Sequence, residues 1–334
     1  LLALVVWGNC LAQNQMLGKY NVSYLNMATG MPNNFADDIF QDSYGFIWIS
    51  THGGGLVRYD GYTVASFGYT ATPTALRSNC CRNVSEDHFH RLWIAFEEGP
   101  QVLDLETMRP VTPPCVNAKL AERLHEVLDG VSLRIYCDSK GCIWMATGVE
   151  IVRIAFDKQG KVESIMSTPC PTAAPEFGMC DVYERGSVVV CNNGRVCEIC
   201  VKDGQLVQND ITAMFAPLVN RYAANIIKYN NKIWLATNDG LFCSDGRQFH
   251  TFDGRHTLQH NVVTSLAISP ENRLLVGTLC GVDIIDDIAD TVEHWNSMSA
   301  VNPLSSNFVN SILVKNGRTW IGTETGGVVR LIPR

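Results

Sequence analysis

The sequence lacks the features that mark several common classes of function. Its 334 residues carry 26 Lys and Arg against 33 Asp and Glu, a net charge of −7, and the basic residues form no cluster. This balance argues against a nucleic acid or an anionic membrane as the partner. No G-x-S-x-G, H-E-x-x-H or phosphate-binding glycine motif is present, so we predict no catalytic residues, no metal and no cofactor. No apolar run after residue 13 has the length of a membrane-spanning helix.

Helical periodicity is nearly absent as well, and a longer repeat takes its place. Helical spacing is confined to residues 118–128 and to a shorter candidate at 211–219. A short apolar segment with a central tryptophan recurs instead, first as Gly45-Phe46-Ile47-Trp48-Ile49-Ser50-Thr51. Equivalent centres stand at positions 48, 93, 144, 188, 234, 275 and 320, and the copies at 188 and 275 lack the indole. A period of about forty to fifty residues marks a solenoid or a propeller.

The inside of each repeat indicates the blade of a propeller. In the first copy, residues 37–42 lead through a turn into the apolar strand 46–50, and two further strand segments, 56–60 and 62–67, follow glycine-containing turns. Four short antiparallel strands per repeat, arranged radially, form such a blade. The sequence therefore predicts an all-β fold, a single seven-bladed β-propeller over residues 13–334, with a short helical insertion near 118–128.

The two ends of the chain complement each other in this arrangement. After Trp320 the last repeat offers one more strand segment, 327–331, and so lacks its outer strand. Upstream of the first repeat, the β-rich segment Tyr20–Leu25 has no blade of its own. Donating it to the last blade would close the ring and cover an edge that otherwise invites aggregation. We therefore predict that this N-terminal strand completes the seventh blade as its outermost strand.

The first twelve residues have the character of an export signal. Residues 1–7 are apolar but too short to span a bilayer, and the small residues Cys10 and Ala12 stand at the −3 and −1 positions before Gln13. We interpret residues 1–12 as the remnant of a secretory signal peptide. An apolar N-terminal strand is the alternative. A lipoprotein anchor at Cys10 fits less well, because Trp7 stands where a small aliphatic residue is expected.

Thirteen cysteines are many for this length, yet their spacing defines no disulfide framework. Cys197 and Cys200 form the lone C-x-x-C pair. In a strand an offset of three places their side chains on opposite faces, and no second pair stands at zinc spacing. Cys137 and Cys142 flank a turn and could face each other across a hairpin. Most of the thiols are expected to pack between blades as small apolar groups.

Recurring residues are assigned to structure rather than to binding. The repeat indoles at positions 48, 93, 144, 234 and 320 are expected in the core, whereas Trp295 could either stack on a sugar ring or pack. An asparagine recurs at positions 34, 79, 261 and 307, and we assign it to capping of backbone groups at the entering strand. The acidic pair Asp37-Asp38 has no partner that the sequence identifies, and we expect it to be solvated.

The repeat pattern resembles a known family. Asn34-x(7)-Asp42-x-x-Gly45-x-x-Trp48-Ile49-x-Thr51, followed by Gly55-Leu56-x-x-Tyr59-Asp60, is similar to the two-component regulator propeller repeat. Residues 25–34 resemble the segment that opens such sensors, and the resemblance extends from about residue 20 to residue 333. It implies the periplasmic part of a hybrid two-component sensor of Bacteroidetes. In that family two propellers precede a β-sandwich, a membrane helix, a histidine kinase and a response regulator.

The resemblance implies a role and also limits it. Only the first propeller is present, so the kinase histidine, the phosphoacceptor aspartate and the DNA-reading helices all lie outside this sequence. The implied role is a non-catalytic sensor of oligosaccharides that are released from polysaccharides. The implied partners are that ligand, a second propeller and the rest of the receptor, for which a homodimer is one arrangement.

Candidate ligand contacts follow from loop position, because binding residues concentrate in loops on a rigid scaffold. In a propeller of this kind, the turns between second and third strands share one face with the connections between blades. The turns contribute His52, Glu97, Glu98, Asn193, Asn238, Asp239 and Glu324, and the connections contribute Arg77, Arg221, Tyr222 and His260.

Three functions remain open on the sequence alone. A sensor module without catalysis is preferred. A propeller enzyme, such as a lyase, would need His, Arg, Tyr or carboxylate groups that converge at one mouth of the ring. A pure interaction scaffold would show an exposed apolar patch on one face. The gene sequence beyond Arg334 discriminates between them, since the sensor requires a second propeller, a membrane span and a kinase there.

Overall fold

The computed structural model describes residues 17–69, 75–132, 134–147, 149–170, 178–180, 188–192, 194–215, 221–254, 257–288 and 290–334. The predicted signal peptide lies outside the described residues. The described part of the chain forms seven antiparallel sheets of four strands each. In six of the seven pairs of neighbouring blades the first strands contact each other, around the centre of the ring. The seven-bladed propeller predicted from the repeats is therefore confirmed.

The first three blades follow an N-terminal strand, β1 (Tyr20–Leu25). In each blade the strands run in chain order from the centre of the ring outwards. Blade one consists of β2 (Ala36–Gln41), β3 (Ile47–Thr51), β4 (Leu56–Tyr59) and β5 (Val64–Phe67). Blade two consists of β6 (Cys81–Glu86), β7 (Arg91–Phe96), β8 (Gln101–Asp104) and β9 (Arg109–Pro110). Blade three consists of β10 (Arg134–Cys137), β11 (Ile143–Ala146), β12 (Glu150–Phe156) and β13 (Val162–Pro169).

The remaining four blades repeat the same order, and the last has three strands from the C-terminal part of the chain. Blade four consists of β14 (Gly178–Cys180), β15 (Val188–Asn192), β16 (Arg195–Lys202) and β17 (Gln205–Asp210). Blade five consists of β18 (Ala223–Tyr229), β19 (Lys232–Thr237), β20 (Gly240–Ser244) and β21 (Phe249–Phe252). Blade six consists of β22 (Val263–Ile268), β23 (Leu274–Thr278), β24 (Gly281–Asp286) and β25 (Thr291–Trp295). Blade seven contains β26 (Val309–Lys315), β27 (Arg318–Thr323) and β28 (Val328–Pro333).

An α-helix, α1 (Ala118–Asp129), stands where helical spacing predicts one, between blades two and three. The side chain of Asn117 caps it by accepting a hydrogen bond from the Leu120 N–H at 2.9 Å. Its buried face, which includes Leu124, packs into the core shared by these two blades. The shorter helical candidate is a single 3-10 turn, Thr212–Phe215, and the rest of that segment lies outside the described residues.

Strand β1 closes the ring, as predicted. It pairs antiparallel with β28 over its whole length, from Tyr20 opposite Pro333 to Leu25 opposite Val328. Tyr20 is 1% exposed, and its hydroxyl donates a hydrogen bond to the Glu271 carboxylate in blade six. The closing strand thus joins two blades. Its backbone pairing completes blade seven, and its aromatic side chain is buried against blade six.

A buried bond between aspartate and tryptophan recurs in the first three blades. The indole N–H groups of Trp48, Trp93 and Trp144 donate to Asp42, Asp87 and Asp138 at 2.7, 2.8 and 2.8 Å. All three indoles are 0% exposed. The second oxygen of each carboxylate accepts a backbone N–H from the residue four positions later, which holds the turn between the first two strands. The predicted core position of these indoles is confirmed.

The recurring asparagines bind backbone groups, as assigned, but the bonded group lies in the preceding connection between blades rather than in the entering strand. Each side-chain oxygen accepts one backbone N–H at 2.6–2.8 Å, from Met27 to Asn34, Tyr69 to Asn79, Gly254 to Asn261 and Ser297 to Asn307. The asparagine therefore holds the connection against the next blade.

Two open questions about packing are settled by burial. Trp295 is 1% exposed, and its indole N–H donates to the Asn302 carbonyl at 2.7 Å, so it packs in blade six and offers no surface for a sugar ring. The ten cysteines whose side chains the structure describes are free thiols, and Cys137 and Cys142 do not pair. Burial raises the pKa of Cys243 to about 12, which keeps this thiol protonated at neutral pH.

Replacing Tyr20 with alanine tests the closing strand. Truncation of a buried aromatic side chain typically costs ~3–5 kcal/mol, and here it also removes the bond to Glu271. We expect Tyr20→Ala to lower the free energy of unfolding in urea by an amount in that range and to promote aggregation on size-exclusion chromatography. Tyr62→Ala is the matched control, because that tyrosine is 95% exposed. Equal stability of the two variants would contradict the role of β1 in closure.

Two substitutions of Trp144 separate packing from hydrogen bonding. Trp144→Ala should cost ~3–5 kcal/mol through the cavity it leaves. Trp144→Phe keeps most of the apolar volume but leaves the Asp138 carboxylate without its indole donor, for which we expect a loss of about 1–3 kcal/mol. Urea denaturation measures both values. A Phe variant as stable as the parent would show that the Asp–Trp bond adds nothing to stability.

Candidate functional site

One face of the ring is formed by two kinds of loop that bind each other. The turns between second and third strands meet the connections between blades through backbone hydrogen bonds. Gly53 N–H donates to the Asn79 carbonyl at 3.0 Å, and Glu324 N–H donates to the Phe308 carbonyl at 2.9 Å. We call this surface the loop face. All ten predicted ligand contacts that the structure describes lie on it, and Asn193 lies outside the described residues.

Three of the predicted contacts belong to a charged group at the mouth of the central channel. Asp37 is the centre of this group and stands at a bulge of β2, where the register with β3 shifts. Burial raises the pKa of Asp37 to about 6; His52 and Arg82 act against this rise, whereas Asp38 and Glu324 add to it. These charges come from blades one, two and seven, so the ring brings together residues from distant parts of the chain.

The third predicted contact in this group is Glu97. Its carboxylate pairs with the Arg82 guanidinium, and both side chains are well exposed. Arg82 therefore links Glu97 to the charges around Asp37. We call Asp37, His52, Arg82, Glu97 and Glu324 the mouth cluster. Sequence analysis missed Asp37 and Arg82 because both stand in inner strands, and their shared position becomes visible only once the ring is closed.

A second set of predicted contacts meets in blade five. The Arg221 guanidinium pairs with the Asp239 carboxylate at 3.0 Å. Tyr222 and Asn238 exchange two hydrogen bonds, of which one joins the Tyr222 N–H to the Asn238 side-chain oxygen at 2.9 Å. His260 stands nearby in the next connection, and its Nδ1 accepts the Val262 N–H at 3.0 Å. These side chains hold the loops of blade five together.

Arg77 and Glu98 have a structural environment of their own. The Arg77 guanidinium donates to the Leu128 carbonyl at 2.6 Å and lies 3.5 Å from the Asp129 carboxylate, so it binds the C-terminal end of α1. A cation at this end satisfies free carbonyl groups and complements the helix dipole. A weaker contact of 3.4 Å joins it to the Glu98 carbonyl. Neither residue belongs to the mouth cluster.

We expected the acidic pair Asp37-Asp38 to be solvated, but both residues are partly buried. Burial raises the pKa of Asp38 as well, and the charge of Arg134 and the backbone N–H groups of Ile39 and Val84 act in the opposite direction. Asp38 lines a cavity of about 430 Å³ inside the central channel, together with Arg134 and Asn225. None of the predicted contacts lines this cavity. Within the described ranges, no group of His, Cys, Asp and Glu is arranged to hold a metal ion.

The repeats identify a family at both ends of the ring. The model of the two-component regulator propeller matches residues 30–53 and 303–325. These two segments are similar to the repeat of that family. Both segments run from a connection between blades through the first two strands, in blades one and seven. No curated protein matches the chain significantly.

Solved structures share the fold at low sequence identity. The extracellular domain of the hybrid two-component system BT3049 of B. thetaiotaomicron superposes with a TM-score of 0.74 at 19% identity, over 94% of this chain and 42% of that chain. The extracellular domain of BT4673 from the same organism gives 0.69 at 17% identity, over 94% and 39%. The chain therefore spans about two fifths of these domains. No helix among the described residues is long and apolar enough to cross a membrane.

An enzyme shares the same architecture. Virginiamycin B lyase of Staphylococcus aureus superposes with a TM-score of 0.64 at 12% identity, over 93% of this chain and 99% of that chain. At this identity the likeness concerns the fold alone. The propeller is thus compatible with sensing and with catalysis, and the site itself has to discriminate between them.

The raised pKa of Asp37 predicts a specific dependence of stability on pH. An unfolded aspartate titrates near 3.9, so the native state holds this proton more tightly and loses stability as pH rises through about 4 to 6. Asp37→Asn removes that cost. We expect the variant to be more stable than the parent above pH 6, by roughly 3 kcal/mol, with the difference vanishing below pH 4 in urea titrations.

Asp60→Asn is the matched control for this measurement. Hydrogen bonds from Thr63 and Tyr62 lower the pKa of Asp60 to about 2, so its charge stabilises the native state above pH 4. Its replacement should therefore destabilise the protein at neutral pH, the opposite sign to Asp37→Asn. A gain in stability from both variants would indicate a general effect of removing negative charge.

Proposed function

We propose that this chain is the ligand-sensing module of an extracytoplasmic two-component receptor and that it has no turnover of its own. The match of its first and last blades to the two-component regulator propeller carries this proposal. The shared fold with extracellular domains of two such systems supports it. In this proposal the chain lies in the periplasm and signals to a histidine kinase that stands outside residues 1–334.

The ligand that we propose is an oligosaccharide released from a polysaccharide, bound at the mouth cluster. The cluster combines carboxylates, a guanidinium and an imidazole, which can accept from and donate to sugar hydroxyl groups. It lies on loops held by a rigid ring, where binding residues usually stand. A sensor also requires that the ligand favours one arrangement of the receptor over another, because only differential affinity shifts such an equilibrium.

Exposed apolar side chains on the loop face support a second propeller as the partner. Met27, Tyr69 and Met298 are 60%, 64% and 87% exposed. They occupy equivalent places in three connections between blades, at or next to the N–H group that the recurring asparagine holds. Large apolar side chains exposed on one face are the sign expected of an interaction site. The second propeller, and a homodimer of the full receptor, are part of the proposal.

Calorimetric titration with a panel of neutral and acidic oligosaccharides tests the binding site. We expect saturable binding by the parent and a loss of at least about tenfold in affinity for His52→Ala and Glu324→Ala, since each removes a polar contact to the ligand. Glu106→Ala is the control, because this acid is exposed on the opposite face. Loss of binding in Asp239→Ala alone would place the site in blade five instead.

The same panel decides between sensor and enzyme. A lyase would release products with new unsaturated ends, which chromatography and mass spectrometry detect after long incubation. We expect the oligosaccharides to be recovered intact. Time-dependent product formation that Asp37→Asn or His52→Ala abolishes would overturn the proposal that the chain only binds, and would assign catalysis to the mouth cluster.

A further inference from the structure

At one position of the inner strands the residue type differs from blade to blade, although the position has the same place in each blade. It pairs with the second residue after the repeat indole, as Asp38 does with Ser50 and Arg134 with Ala146. In six of the inner strands it is held by Asp38, Arg134, Met179, Asn225, Ser265 and Ser311. Residues that hold the ring together recur from blade to blade, as the indoles and the asparagines do. A ring position that varies from acid to guanidinium to amide does not serve the common packing.

Three of these variable residues line the cavity in the central channel. Asp38 comes from blade one, Arg134 from blade three and Asn225 from blade five. The cavity volume of about 430 Å³ lies within the range of about 300–1,000 Å³ that small-molecule sites occupy. The aromatic side chains of Phe40 and Tyr136 also contribute to its lining. The channel is therefore large enough for one or two sugar units.

Two of the three polar groups have no hydrogen-bond partner among the described residues. The Arg134 guanidinium makes no hydrogen bond or ion pair there, and its charge opposes the rise that burial causes in the pKa of Asp38. The Asn225 amide makes no bond to that part of the chain either. Asn83, which also lines the cavity, provides the contrast, since its side chain donates to the Ile135 carbonyl at 2.8 Å and accepts the Ile135 N–H at 3.0 Å. Half-buried polar groups without partners favour a polar occupant.

The charges of the lining decide which kind of occupant fits. Asp38, Glu86 and Asp138 are acidic, and Arg134 is the arginine beside them. Two of the acids are engaged, because Glu86 accepts from Ser43 at 2.6 Å and Asp138 accepts the Trp144 indole N–H. An excess of carboxylates disfavours an anion. A guanidinium, a carboxylate and an amide together offer donors and acceptors that match adjacent hydroxyl groups of a neutral sugar.

We infer that Asp38, Arg134 and Asn225 form a binding site for a neutral saccharide unit in the central channel. The guanidinium donates to one hydroxyl oxygen, the carboxylate accepts from a neighbouring hydroxyl, and the amide does either. This site is separate from the mouth cluster, and it does not require that the chain be part of a two-component receptor. Blades one, three and five supply it, so it exists only in the closed ring.

Calorimetric titration of the full chain with neutral monosaccharides and disaccharides tests this site. The probes are D-galactose, D-mannose, D-xylose and their β-linked disaccharides, each beside D-galacturonate. We expect saturable binding of at least one neutral probe. Arg134→Gln and Asn225→Ala should each weaken it by about tenfold or more, the effect of losing a hydrogen bond to a charged or amide group. Galacturonate should bind more weakly than galactose.

Arg109→Gln is the matched control, because it makes the same change of charge on the exposed outer strand of blade two. His52→Ala and Glu324→Ala, which remove contacts of the mouth cluster on the loop face, are titrated beside the channel variants so that the two sites can be separated. Melting temperatures and near-UV circular dichroism show whether each variant keeps the native fold. If Arg134→Gln does not fold, Asn225→Ala provides the test of the site.

Three results would overturn the inference. The first is a parent chain that binds no neutral probe up to its solubility limit. The second is affinity that survives both Arg134→Gln and Asn225→Ala. The third is tighter binding of galacturonate than of galactose, which would indicate an anion site around Arg134. Affinity that falls with the two loop-face variants but not with the channel variants would support the proposed function and reject the channel site.

Discussion

Every blade of this protein depends on the pairing of β1 with β28, because a ring of sheets is stable only when its last blade is complete. The pairing joins residues at the two ends of the described chain, such as Tyr20 and Pro333. It gives the outermost strand to blade seven and removes an unpaired edge. The Tyr20 side chain also ties this closing strand to blade six, because it is buried beside that blade. The geometry of the channel follows from this closure.

Within the ring, two kinds of contact have different purposes. Contacts that recur in several blades hold the scaffold, such as the bond from the Trp48 indole to Asp42 and the bond from the Met27 N–H to Asn34. Contacts that occur once shape the surfaces available to a ligand. The mouth cluster and the channel lining both consist of side chains that stand at equivalent places but differ between blades. Recurrence therefore separates structural residues from candidate binding residues without any comparison between proteins.

The two polar sites also differ in the environment that sets the pKa of their aspartates. At the mouth, the pKa of Asp37 lies near 6, so its charge responds to pH in the mildly acidic range. Deeper in the channel, Asp38 is more strongly desolvated, and the charge of Arg134 opposes the rise of its pKa. A ligand that replaces water at either site changes the local dielectric and hence these pKa values. Ligand binding at either site is therefore coupled to the protonation of its aspartate.

Local signals in the sequence were sufficient for most of the fold. The spacing of the repeat indoles, the turn residues and the unpaired segment Tyr20–Leu25 predicted seven blades and their closure, because each blade is built from neighbours in the chain. These local signals could not identify the proposed ligand contacts. Loop position placed His52 and Glu324 on one face but could not show that they surround Asp37, and Arg134 carried no signal at all. These residues meet only through the ring, whose closure sets distances between strands that are far apart in sequence.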